Sequence, residues 1–174
     1  MQIIDLIEMH PGVDNARQLA ELASKDPDSL KELWELTYHD RAYISRVAAW
    51  AIEYCFLEHP EKVKPYIPFM IERLPELPTN SLRRHFLKMI WLGGFGKEHH
   101  GVLAHICFQW ITEPNKPVAV KMFSMQVLFV ISESEPDIKP ELAAVIEHQL
   151  PNATPGLKNA GSKILKKLYQ KTGN

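Results

Sequence analysis

The histidines and cysteines of this chain are of types that could do chemistry, and their spacing narrows what that chemistry could be. His99, His100 and His105 stand close together. Metal binding on a helix wants ligands four residues apart on one face. His99 and His105 are six apart, on roughly opposite sides of a helix, and His100 with His105 is little better. These read as loop and surface histidines, and no metal site and no cofactor is expected. Cys55 and Cys107 lie in apolar runs without CxxC spacing and without a visible histidine or acid partner. They are expected to be reduced core thiols of a cytoplasmic protein, neither a disulfide nor a nucleophile. Gly93-Gly94-Phe95-Gly96 follows a helical segment instead of opening one, so it reads as a C-cap and turn and not as a phosphate loop. With no GxSxG either, nothing in the chain carries an enzyme signature, and a non-catalytic role is expected.

Composition sets the frame for the elements. The chain has 174 residues, 45% of them apolar and 24% charged, enough for one domain with a substantial core. A net charge of −1 argues against overall attraction to nucleic acid or membrane and leaves local faces open. The first eight residues hold two acids and no basic stretch, so a signal peptide is not expected. The longest strongly apolar stretch, Met122 to Ile131, is about half of a membrane span.

Helical periodicity dominates and strand signals are missing. Helices are expected near 14–25, 27–38, 40–59, 60–75, 79–92, 98–112, 116–133, 137–150 and 155–172, with a short turn before Pro11-Gly12. Asp26 before Pro27 gives a capped start, and Asp40 and Thr79 are placed to cap the helices that follow them. Arg46, Arg84, Lys121 and Asn159 open four of these helices at spacings of 38, 37 and 38 residues. Three residues after each stand Ala49, Leu87, Ser124 and Ser162; six after stand Ile52, Ile90, Val127 and Leu165. Val63-Lys64-Pro65 returns as Ile138-Lys139-Pro140, two periods later. A helix-pair period in the high thirties is that of a solenoid.

Leu33-Trp34-Glu35-Leu36 through Asp40 and Arg46 to Ala49 resembles the signature of the HEAT-repeat family. There an aspartate ends the turn after the first helix of a pair and an arginine six residues on opens the second. Pro65-Tyr66-Ile67-Pro68-Phe69-Met70-Ile71 resembles that family's proline-bearing first helix. The second, third and fourth pairs depart from the pattern, with Pro78, Asn115 and Ala153 at the aspartate position. The resemblance implies an all-α, right-handed, armadillo-like α-solenoid of about four antiparallel helix pairs plus an N-terminal capping helix. One domain over 1–174 is expected, with repeats near 27–59, 60–96, 98–135 and 136–172. It also implies contact between Asp40 and Arg46.

In such arrays the second helices line the concave face. Positions four and seven after each basic mark share one stripe: Trp50 and Glu53, Lys88 and Trp91, Met125 and Leu128, Lys163 and Lys166. Arg83 and Arg84 add the densest internal basic group, in a helix without an acid. The binding residues expected are therefore Arg46, Trp50, Glu53, Arg83, Arg84, Lys88, Trp91, Lys121 and Met125. The leading expectation is a scaffold-type module gripping a protein or peptide partner, with no membrane partner. The alternative is a nucleic-acid binder similar to the HEAT-like alkylpurine DNA glycosylases, with Glu53 as the acid beside Trp50.

Overall fold

The structure, a computed structural model, describes residues 2–9 and 12–170. Within them no strand occurs; the chain runs through helices α1 (Ile3–Met9), α2 (Val13–Lys25), α3 (Pro27–Leu36), α4 (Ala42–Glu58), α5 (Pro60–Val63), α6 (Ile67–Arg73), α7 (Asn80–Gly93), α8 (His100–Thr112), α9 (Val118–Ser134), α10 (Lys139–Gln149) and α11 (Pro155–Gln170). Pro11, before which the short turn was expected, lies outside the described residues, but α1 stands at that place.

Punctuation by side chains explains most boundaries. Asp26 caps α3, its carboxylate accepting from the backbone N–H groups of Asp28 at 3.3 Å and Ser29 at 3.0 Å, with Pro27 at the first helical position. Thr79 accepts from the N–H of Leu82 at 3.3 Å at the head of α7. Prolines 65, 68 and 75 lack the N–H that an α-helix needs, and the expected helix 60–75 becomes α5 and α6 joined and ended by 3-10 turns at 64–66 and 74–76. At the end of α7 the Gly94 N–H bonds back to the Ile90 carbonyl at 3.1 Å with φ at +81°, a left-handed stop that a side chain would strain.

One expected joint is made differently. Asp40 does not cap α4, which begins at Ala42 with Arg41 in the cap position and no side-chain cap bond. The N–H of Arg41 is taken instead by His39 Nδ1 at 3.0 Å. Arg46 is exposed and lies over the Tyr43 ring at 5.5 Å, so no hydrogen bond or ion pair joins it to Asp40.

Contacts divide the chain into two compact units, residues 1–89 and 90–174, with the division inside α7. In the first unit α2 packs on α3 and α4, α3 packs on α4, and α1 closes against α3 and α4. Ala49, Ile52 and Leu87 are buried here, as the repeat spacing requires. On the side of the first helices, Trp34 of α3 stacks on Phe86 of α7 (5.8 Å between centroids, 16° between planes) and meets Tyr66 at 5.2 Å. Arg73 lies over the Tyr38 ring and donates to Thr37 Oγ1 at 2.7 Å, tying the end of α6 to the end of α3.

In the second unit α8 packs on α9, α11 packs on α9, and α10 touches α8, α9 and α11. Ile90, Ser124, Val127 and Leu165 are buried, matching the same spacing. Ser162 does not match it: the residue is exposed, and Ala160 and Gly161 turn inward. The reason is a close approach. A Cβ on Gly161 would stand 2.9 Å from Leu150 Cδ2 and 3.0 Å from Ile146 Cγ2. Cys55 and Cys107 are free and buried, and burial pushes the Cys107 thiol up to about 12. No described helix is long and apolar enough to cross a membrane.

Two substitutions check this account. Phe86, fully buried beneath Trp34, should cost about 3–5 kcal/mol when cut to Ala, read from urea unfolding. Asp26→Ala should lower the urea midpoint, whereas Asp40→Ala should leave it in place, because only the first of these carboxylates holds a helix end.

Candidate functional site

Glu53 on α4 was expected on the groove surface; the structure buries it at 5% exposure. Its two oxygens are both engaged. Oε2 meets His85 Nδ1 at 2.6 Å and Oε1 accepts from Lys88 Nζ at 2.6 Å, both partners lying on α7. Positions 85 and 88 are one turn apart, so a single helix face delivers both groups to one carboxylate.

The network assigns its own protons. His85 is fully buried, and burial holds its imidazole below the usual histidine value, against the pull of Glu53. The ring is therefore neutral near pH 7. Its Nδ1–H donates to the Glu53 carboxylate, which leaves Nε2 as an acceptor for the Arg84 Nη2 donor at 2.9 Å. Burial works to raise the Glu53 carboxyl, but the hydrogen bonds from His85 and Lys88 outweigh it and hold the group below the usual carboxylate value. Glu53 is thus ionised, paired and enclosed, a strut between helices and not an open acid.

Around this strut lies the surface the sequence pointed to. Trp50, three residues before Glu53, is half-buried, with its ring stacked on Tyr54 (6.0 Å, 20°) and 6.4 Å from His85. Arg17 of α2 covers the Tyr54 ring at 5.4 Å. Arg84 and Lys88 are half-buried beside Trp50's neighbours, each with its head group held by the network. Trp50, Glu53, Arg84 and Lys88 are therefore brought together through His85.

The other expected residues fall elsewhere. Arg83 turns back along its own helix start, donating to Asn80 Oδ1 at 2.8 Å and to the Leu77 carbonyl. Arg46 sits alone on Tyr43. In the second unit Trp91 is half-buried with its ring 6.0 Å from Phe123. Lys121 is only 7% exposed and donates to Gln149 Oε1 at 3.0 Å. Met125 and Leu128 are fully buried and offer a partner no surface, because α9 is covered by α8, α10 and α11. His100, expected at the surface, is instead mostly enclosed, with Nδ1 2.9 Å from Glu135 Oε1. No cluster of metal-binding type occurs among the described residues.

His85 was missed by sequence reasoning. A signal for it existed: a histidine three residues before Lys88, on the same helix face and in a helix without acids, needs a partner from another element. Glu53 is the acid the repeat places one period back.

Residues 5–168 match the family model described as HEAT repeat domain. No curated protein and no solved structure matches the chain.

The network makes stability pH-dependent, with a definite sign. Both groups have depressed pKa values in the fold, so their contributions are present at neutral pH and lost on acidification. The unfolded chain takes up a proton at His85 as pH drops below 6.5 and at Glu53 below 4.5, where the folded chain resists both. The urea midpoint should fall between pH 7.5 and 5.5, and His85→Gln should flatten that fall. Glu53→Gln should cost about 2 kcal/mol at pH 7, the scale of a lost charge-assisted hydrogen bond.

Proposed function

We propose that this chain, which belongs to the HEAT repeat domain family, is a non-catalytic interaction module that binds a protein or peptide partner on the second helices of its repeats. The observation that carries the proposal is the prepared surface over the Glu53 strut. A half-exposed tryptophan, Trp50, is propped by Tyr54 and lies near His85, with the basic groups of Arg84 and Lys88 held by the same network. Aromatic and arginine side chains dominate binding energy at interfaces, and groups already ordered lose little entropy when a partner arrives. Trp91 against Phe123 is a separate aromatic contact point in the second unit. We place the module in the cytoplasm, where its two buried thiols stay reduced.

The geometry favours this over catalysis on nucleic acid. A DNA-repair acid must reach its substrate, and Glu53 is enclosed with both oxygens engaged. Four basic groups were expected to make a phosphate-binding face: Arg83, Arg84, Lys88 and Lys121. Arg83 is bound to its own helix start, Lys121 is buried, and Lys88 is neutralised by Glu53.

Affinity capture from host lysate, read by mass spectrometry, checks the proposal. A partner enriched by the native chain should be lost with Trp50→Ala and weakened by Lys88→Met, and retained by Leu22→Ala, a change at an exposed residue of α2. Duplex DNA bound well below a micromolar at 200 mM salt would overturn the proposal, since non-specific binding at physiological salt is no tighter than about 10⁻⁶ M.

A further inference from the structure

Lys121 presents a chemical problem that the interaction surface does not use. It is a cation at 7% exposure whose ammonium meets one polar partner, the neutral amide oxygen of Gln149. Among the described residues no carboxylate forms an ion pair with it; the charge of Glu113, which itself pairs with Lys116 at 2.7 Å, offsets the desolvation of Lys121 only in part. A buried charge compensated only in part is costly, and an anion brought beside it would relieve that cost.

Lys121 opens on a cavity of about 400 Å³ within the second unit, and no aspartate or glutamate lines it. That volume is in the range of small-molecule sites. Donors converge on it. Two N–H bonds of the Lys121 ammonium remain after Gln149 is served. The side chains of His148 and Asn152, exposed residues that also line the cavity, make no hydrogen bond with another described residue. The Thr154 hydroxyl receives the Leu157 N–H at 3.4 Å and keeps its own proton to give. Thr154 also stands at the start of the sixteen-residue α11, whose dipole and Gly156 N–H favour negative charge, Pro155 having no N–H to give.

We propose that this cavity binds the phosphate group of a small phosphomonoester, with Lys121 as the counter-charge and His148, Asn152 and Thr154 as its hydrogen-bond donors. A carboxylate has two oxygens to offer. The cavity supplies more donors than two oxygens use comfortably, and a phosphate with three terminal oxygens and up to two charges fits the set better. The remaining volume accommodates the body of the ester.

Inorganic phosphate is the probe, titrated calorimetrically at pH 7.5 with ionic strength held constant by sodium chloride. The native chain should bind it saturably. Lys121→Met, similar in length and uncharged, should weaken binding at least tenfold. Lys163→Met, at an exposed lysine of α11, should leave it unchanged. In the native chain, amide resonances of Lys121, Asn152, Ala153, Thr154, Gly156 and Leu157 should shift with phosphate and not with sodium acetate. No saturable binding, unchanged affinity in a folded Lys121→Met chain, or acetate bound as tightly as phosphate would each overturn the proposal. Should Lys121→Met not fold, the amide map decides alone, and shifts confined to residues outside the cavity overturn it.

Discussion

A carboxylate removed from water must be met by donors, and Glu53 is where this chain has to satisfy that demand. Its desolvation is offset only while His85 and Lys88 stand at 2.6 Å on either oxygen. Both belong to α7, so the register of that helix against α4 is held to the one placement that serves both oxygens. Apolar packing alone is more forgiving, since hydrophobic residues of similar size exchange places at modest cost. The charge network is not: sliding α7 by one residue would carry His85 and Lys88 about 100° away from the carboxylate.

The same constraint prepares the surface above it. Arg84 is oriented because the His85 ring has one nitrogen left to accept, and that nitrogen is free because Glu53 has claimed the other. Trp50 is steadied by Tyr54 on one side and approaches His85 on the other. A buried interaction chosen by electrostatics thus orders the partly exposed groups around it. On the side of the first helices, Trp34, Phe86 and Arg73 do comparable work by ring packing and by guanidinium contact. In the first unit, α7 is therefore held from two directions, one polar and one aromatic.

Departures from the family pattern have local causes. The aspartate and arginine of the first repeat, Asp40 and Arg46, never meet, because His39 takes the Arg41 N–H and Tyr43 takes the Arg46 guanidinium. Partners two or three residues away, in the turn and in the first turn of α4, take the place of the longer-range pair. In the last helix the inward face shifts to Ala160 and Gly161, since only a residue without Cβ lets α11 come so close to Ile146 and Leu150.

Helix content, the pairing period and most helix ends were legible in the residues themselves, because these depend on interactions within a few positions. Asp26 with Pro27, the prolines of the stretch 60–75 and Gly94 each act locally, and each acts where the sequence places it. The inward positions Ile52, Ile90, Val127 and Leu165 were legible for the same reason, as a periodic pattern that one helix carries whole. The candidate site was readable only as a list of residue types. Trp50, Glu53, Arg84 and Lys88 were singled out, but whether the carboxylate faced water or His85 could not be read from spacing along one helix. Met125 and Lys121 show the same limit: the helical stripe that held them was continuous in sequence, and packing by α8, α10 and α11 buried both. Periodicity tells which residues share a face. Only the neighbouring helices determine whether that face is covered, and burial then sets the charge, the protons and the partners of every polar group on it.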